Sequence, residues 1–222
     1  MFSVIFEVQP KDGRFDEYLG YAKLLKPEIE RIDGFIDNER FASRRDPGRV
    51  LSHSTWRDEK ALIRWRTLAV HHEIQAKGRF EVFTDYHLRV GEIVADTHVP
   101  LGQTLRQQRF DETEIGRARV VTIAEIPPEA SSKPAESHVR SETPAADSVG
   151  LIEVELFESI YNPGKVLVLS SWRDESALAV ASRLSNGDAA IRRRTIRVIR
   201  DYGMFDRQEA PQYFAGVTRS KP

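Results

Sequence analysis

A chain of 222 residues is long for one domain and comfortable for two of about 100 each. Charged residues make up 30% and apolar ones 40%, a soluble, globular balance, and a net charge of −1 argues against a dedicated nucleic-acid or acidic-membrane partner. The lack of cysteine excludes disulfides, thiolate metal sites and cysteine nucleophiles.

The run Phe2-Ser-Val-Ile-Phe-Glu-Val8 is too short and too polar at its flanks for a signal peptide, and it reads as a strand. No other run approaches a membrane-spanning length, so a cytoplasmic location is expected. Residues 14–32 place Phe15, Tyr18, Leu19, Ala22, Leu25, Ile29 and Ile32 at helical spacing, with Pro27 expected to kink or split the helix. Asp46-Pro47-Gly48 is a turn between extended runs at 35–43 and 49–56. Asp58 can cap a second helix carrying Ala61, Leu62, Trp65, Leu68, Ala69, His72 and Ala76 on one stripe, closed by Gly78. Residues 80–90 form the last strand, giving the order βαββαβ, a ferredoxin-like unit.

Residues 34–62 then recur as 150–178, with 16 identities in 29 ungapped positions. Phe41, Pro47-Gly48, Trp56-Arg57-Asp58-Glu59 and Ala61-Leu62 return as Phe157, Pro163-Gly164, Trp172-Arg173-Asp174-Glu175 and Ala177-Leu178. Residues 118–126 supply the strand matching 2–10, with Val120 at the place of Val4, and Asp85-Tyr86 returns as Asp201-Tyr202. The second copy is degenerate. Residues 127–149 hold four prolines and no apolar stripe and read as loop or disorder, and the second helix is interrupted by Ser185-Asn186-Gly187. The expected organisation is a unit over 1–92, a linker over 93–117, a second unit over 118–205 and a tail over 206–222. A ferredoxin-like sheet leaves one face bare, so two tandem units form one intramolecular pseudo-twofold α/β barrel, an α+β architecture. Such a chain is a monomeric pseudo-dimer or pairs further as a homodimer.

The duplication is also an internal control. Trp65, His71, His72 and Gln75 map onto Ala181, Gly187, Asp188 and Ile191, and His53 maps onto Leu169. The second copy keeps the frame and loses this set, which makes the set the better functional candidate. Trp65 and His72, seven apart, superpose on an ideal helix, so His72 reads as a base or donor beside an aromatic wall. A buried histidine satisfied by a strand carbonyl is the structural alternative. Tyr86 could hydrogen-bond a substrate oxygen, and His53 could line the same pocket. Trp56 and Trp172 read as core packing. His53, His71, His72 and His87 lack a carboxylate at ligand spacing, so no metal is expected. Arg192-Arg193-Arg194 reads as a charged strand edge without a nucleic-acid module.

The run Trp56-Arg-Asp-Glu-Lys-Ala-Leu-Ile-Arg-Trp65 with His71, Gln75, Gly78-Arg79 and Tyr86 resembles the antibiotic biosynthesis monooxygenase (ABM) family, as does Glu28-Ile-Glu-Arg-Ile-Asp-Gly-Phe35. The resemblance covers residues 2–92 well and 118–205 in part. It implies the dimeric α/β-barrel fold and favours His71, which stands six residues after Trp65 where the family usually has its histidine. It further implies a small-molecule oxygenase that takes O2 and an electron-rich phenol, hydroquinone or enol, without a cofactor. In that reading His72 or His71 is the base, Trp65 packs the ring, and Tyr86, His53 or Gln75 makes polar contacts. Haem binding and degradation, with one of these histidines as axial ligand, is a second implication. A non-catalytic ligand-binding or interaction barrel is the third reading, favoured by the degenerate half.

Overall fold

The β-branched and aromatic runs form eight antiparallel strands in a computed structural model that describes residues 1–128, 135–177 and 188–218. The strands are β1 (Phe2–Pro10), β2 (Phe35–Ser43), β3 (Val50–Trp56), β4 (Phe83–Asp96), β5 (Val120–Ile126), β6 (Leu151–Ser159), β7 (Val166–Trp172) and β8 (Arg192–Gly203). They close into a barrel in the order β1-β3-β2-β6-β7-β5-β8-β4. Each half contributes a ferredoxin-like sheet, 2-3-1-4 or 6-7-5-8, and the halves meet along β2–β6 and β4–β8. The tandem units and their pseudo-twofold barrel are therefore present in one chain. Inside it, Ile5, Phe41, Leu51 and Ile93 of the first half pack with Ile123, Phe157, Leu167 and Ile196 of the second.

Trp56 and Trp172 pack as expected. Both rings are buried on the outer face of the barrel, and their indole N–H groups donate to Ser54 and Thr122 hydroxyls at 2.9 and 3.0 Å. Asp58 and Asp174 accept from the Ala61 and Ala177 amides at 2.8 and 2.9 Å, which starts the following helix in each half.

The structure corrects several local expectations. Pro27 does not split α1 (Phe15–Glu30), which buries Tyr18, Ala22, Leu25 and Ile29 along a single face. The second helix is two helices, α2 (Glu59–Thr67) and α3 (Ala69–Lys77), separated by an extended Leu68 with ψ of 129°. Gly78 caps α3 as expected, but the chain continues from it as a π-helical turn to Val82, and a Cβ at Gly78 would lie 2.4 Å from the Phe83 ring. β4 runs on to Asp96, into the expected linker, since β8 offers it partners as far as Arg194. Within 127–149, the expected loop contains α4 (Ala135–Glu142). Val139 supplies its buried contact, and Arg193 grips Glu142 at 2.6 and 2.9 Å, so an ion pair replaces the absent apolar stripe. The expected interruption at Ser185-Asn186-Gly187 lies outside the described residues.

The ladders also revise the equivalences. Phe2 faces Trp56 and Val120 faces Trp172, so Val120 occupies the place of Phe2, two residues from the expected Val4. Arg89 faces Ile5 and Arg194 faces Ile123, which makes these arginines equivalent and separates Tyr202 from Tyr86. The barrel interior then shows paired charge knots. Arg49 bridges Glu7 at 2.5 Å and Glu155 at 3.7 Å, while Lys165 bridges Glu125 at 2.7 Å and Glu39 at 2.5 Å. Arg89 adds to Glu7 at 2.5 Å, and Arg194 to Glu125 at 2.7 Å.

Candidate active site

The first-half helices cover the outer faces of β1 and β4. Phe6, Val8 and Tyr86 cluster under α1 with Phe15, Leu19 and Phe83, while Val4, Leu88 and Val90 pack with Trp65, Leu62 and Ile29. Phe15 and Leu19 thus fill space beside Tyr86, and Trp65 stands in the neighbouring cluster.

The extended residue at 68 decides the histidines. Its carbonyl accepts from the His72 amide at 2.9 Å and its own N–H reaches the Trp65 carbonyl at 3.2 Å, so the chain turns between α2 and α3. The expected superposition of Trp65 and His72 is lost. His71 instead lies flat on Trp65, with ring centroids 4.0 Å apart and 18° between planes. Its Nδ1 is 3.0 Å from the Trp65 carbonyl. A carbonyl only accepts, so Nδ1 carries the proton and Nε2 keeps its lone pair. Burial drives His71 down to about 4, against the raising effect of that carbonyl, and the residue as a whole is half-buried. Gln75, one turn further along α3, has a buried Oε1 without a partner among the described residues.

His72 is exposed and faces the C-terminal tail. Its ring stacks on Phe214 at 5.0 Å, and Gln212 Nε2 approaches its Nδ1 at 3.5 Å. The same tail reaches Tyr86. The phenol oxygen accepts from Arg79 at 3.1 Å and from Arg207 at 2.5 Å. Arg79 is only 3% exposed and also donates to the Met204 carbonyl at 2.6 Å. An open cleft of about 410 Å3 lies here, bounded by Arg79, Arg207, Met204, Phe205, Gln212 and Phe214. Burial pushes the neighbouring Tyr202 up to about 12, despite the pull of Arg207, Arg66 and Arg200.

His53 does not line this region. The β1–β3 register sets it beside Ile5, facing into the barrel, whereas Tyr86 faces out. Arg194 can only donate, and its Nη1 lies 3.0 Å from His53 Nδ1; Nε2 therefore carries the proton and donates to Ser3 Oγ at 2.8 Å. Burial and Arg194 hold His53 well below the ordinary histidine range. Trp65 and His71 thus meet directly, Tyr86 and His72 share the tail, and His53 is separate. Sequence reasoning passed over Arg207 and Phe214; the aromatic pair Tyr213-Phe214 in an otherwise polar tail was the available signal. Among the described residues no three His, Asp or Glu side chains converge as a metal set, and no helix is long and apolar enough to cross a membrane.

The family model for antibiotic biosynthesis monooxygenases matches residues 1–77, which hold Trp65 and His71. A jasmonate monooxygenase ABM of Pyricularia oryzae is 38% identical over 218 residues, covering 96% of this chain and 98% of its own length. The crystal structure of an aldoxime dehydratase shares the fold at 11% identity and a TM-score of 0.54, covering 89% of this chain and 81% of that one. An anthrone oxidase-like protein aligns over 95% of this chain and 96% of its own at 13% identity and a TM-score of 0.35. The relationship to the fungal enzyme spans both halves and the tail, beyond the single-domain motif around Trp65, and so the whole tandem chain belongs to the antibiotic biosynthesis monooxygenase family.

Proposed function

We propose that the protein is a monooxygenase that oxidises a small enolisable or phenolic substrate with O2 and without a bound cofactor. The observation that carries this reading is the 38% identity to a jasmonate monooxygenase over 96% of the chain. Jasmonate is a cyclic ketone bearing a carboxylate, so its α-protons make it enolisable.

The chemistry follows from what an O2 reaction without an added reductant requires. A base removes a proton beside the carbonyl, or from a phenol, and the anion gives one electron to O2. Recombination of the two radicals forms a C–O bond, and loss of water from the hydroperoxide leaves a new carbonyl. A CH2 group and O2 thus become C=O and H2O, a four-electron oxidation in which the substrate supplies every electron. His71 suits the proton transfer because its Nδ1–H is tied to the Trp65 carbonyl and Nε2 keeps its lone pair. Burial makes it a weak base in the free protein. An anion forming beside it favours the imidazolium and raises its basicity where it is needed. Trp65 fixes the ring plane, and Tyr86 offers a hydroxyl already held by two guanidinium groups.

The test is oxygen uptake by chelator-treated, haem-free protein with jasmonate, hydroquinones and simple phenols. His71→Ala is expected to lower turnover about 10²- to 10⁴-fold, the usual contribution of a general base. His72→Ala should change it much less, since that ring is exposed against the tail. Unchanged turnover in His71→Ala would remove the proposed base. Haem dependence is the competing reading, because Nε2 of His71 is also the nitrogen free to bind iron. A Soret shift at stoichiometric hemin, with uptake only in its presence, would favour it.

A further inference from the structure

The C-terminal tail closes over the first half and brings two guanidinium groups onto one phenol oxygen. Arg79 and Arg207 both donate to Tyr86 Oη. Their other partners are main-chain carbonyls of the tail, Met204 and Ala215 for Arg79 and Gln212 for Arg207. Among the described residues no carboxylate lies within ion-pair distance of either. Nearby acids are engaged elsewhere. Glu209 accepts from Thr113, Glu114 and the Asp201 amide, Asp201 accepts from His87, and Asp206 caps the Gln208 amide.

Two adjacent cations, one of them 3% exposed, repel each other, and neutral oxygens compensate them only in part. Arginine in particular presents a planar fork that matches a carboxylate. The cleft of about 410 Å3 opens beside them, and Met204, Phe205, Phe214 and Val217 give it apolar wall, with Gln212 and Tyr213 as polar neighbours. Arg207 also stacks over Phe214 at 5.3 Å, which fixes the guanidinium plane at the cleft wall.

We propose that this cleft is a binding site for an amphipathic monocarboxylate, with the carboxylate on Arg207 and Arg79 and the hydrocarbon against Met204, Phe205 and Phe214. The site deepens the oxygenase reading by naming the substrate class. It rests on that reading only for the identification of the ligand as substrate. The tail residues 204–217 then belong to the recognition surface, and the monocarboxylate links them to Tyr86 on β4.

Isothermal titration with jasmonate and with its uncharged methyl ester tests the site without turnover. The acid is expected to bind at least tenfold more tightly than the ester, with affinity falling as salt is raised. Arg207→Gln should erase this preference and Arg207→Lys should restore part of it. Arg207 is chosen because it is only partly buried, whereas Arg79 variants risk misfolding. Equal affinity for acid and ester, no binding of either, or unchanged acid binding in Arg207→Gln would overturn the proposal. Oxygen uptake separates the two readings. Charge-dependent binding without uptake removes the oxygenase and keeps the site. Uptake that is indifferent to Arg207→Gln and to esterification removes the site and keeps the oxygenase.

Discussion

At the scale of single residues, the histidines are sorted by which nitrogen is held and by what. His53 sits between Ser3 and Arg194 inside the barrel, and a second proton there would face a guanidinium. It is held neutral by burial first and by Arg194 second, and His71 is held near 4 by burial. The unfolded chain protonates both near the ordinary value of 6.5, so it binds more protons than the folded chain once the pH drops below that value. Stability is therefore full above about pH 6.5 and is lost as the pH falls toward 4. Denaturant midpoints measured between pH 7.5 and 5 should decline. His53→Leu, which installs the residue found at the equivalent position 169, should flatten part of that decline. The part removed at pH 5 is on the order of 2 kcal/mol. A pH dependence identical to wild type would mean that His53 already carries a proton in the folded chain. The candidate site was legible at this scale only as a set of residue types. Trp65, His71, His72 and Gln75 stood out because the second copy lacks them, but their partners did not. Nothing in an ideal helical wheel shows that Leu68 is extended, and that one backbone angle exchanges His72 for His71 as the ring on Trp65.

Among the elements, the most legible feature is the hairpin followed by a capped helix, since Pro-Gly, Trp-Arg-Asp-Glu and Ala-Leu occur in both copies. The retained glycines at 34 and 150 have a packing reason. Their φ angles are +93° and +76°, and a Cβ there would lie 2.7 Å from Ala61 Cβ and 2.3 Å from Ala177 Cβ. The small pair lets each helix start against the chain entering its hairpin. Gly34→Ala and Gly150→Ala should each cost about 2 to 4 kcal/mol, combining left-handed strain with overpacking. Gly13→Ala is the control. It has a φ of +75° but nothing within 4 Å, so it should cost only the strain, about 1 kcal/mol. Thermal unfolding of the three variants separates the contributions, and equal losses would mean that contact with the helix contributes nothing. α4 marks the limit of legibility here. Its buried contact is Val139 and its main tether is Glu142 on Arg193, a partner 51 positions away that no local pattern reveals.

Across the whole molecule, the sequence repeat leads to the barrel, while the charge knots inside it emerge only from the strand registers. Arg49 and Lys165 stand at one position of the repeated hairpin, and each joins a glutamate of its own half to a glutamate of the other. The equivalence of Arg89 and Arg194 is hidden because β4 and β8 do not keep the spacing that relates the two hairpins. The knots span the β2–β6 seam: Glu7 and Glu125 pair with cations of their own half, while Glu155 and Glu39 take theirs from the other. The Glu7 and Glu155 side chains are 3% and 2% exposed, and those of Glu125 and Lys165 are 11% and 19%. Lys165→Met would leave Glu39 and Glu125 facing each other with one cation fewer, at a cost of about 3 kcal/mol. Adding Glu39→Gln removes one of the stranded charges, so the double variant should recover much of that loss; the shortfall from additivity measures the coupling. Because the knot belongs to both halves, calorimetry should show one transition in the wild type and one, shifted down, in Lys165→Met. Two resolved transitions in either protein would mean that the halves unfold independently, and the barrel would then be two adjacent domains instead of one cooperative unit.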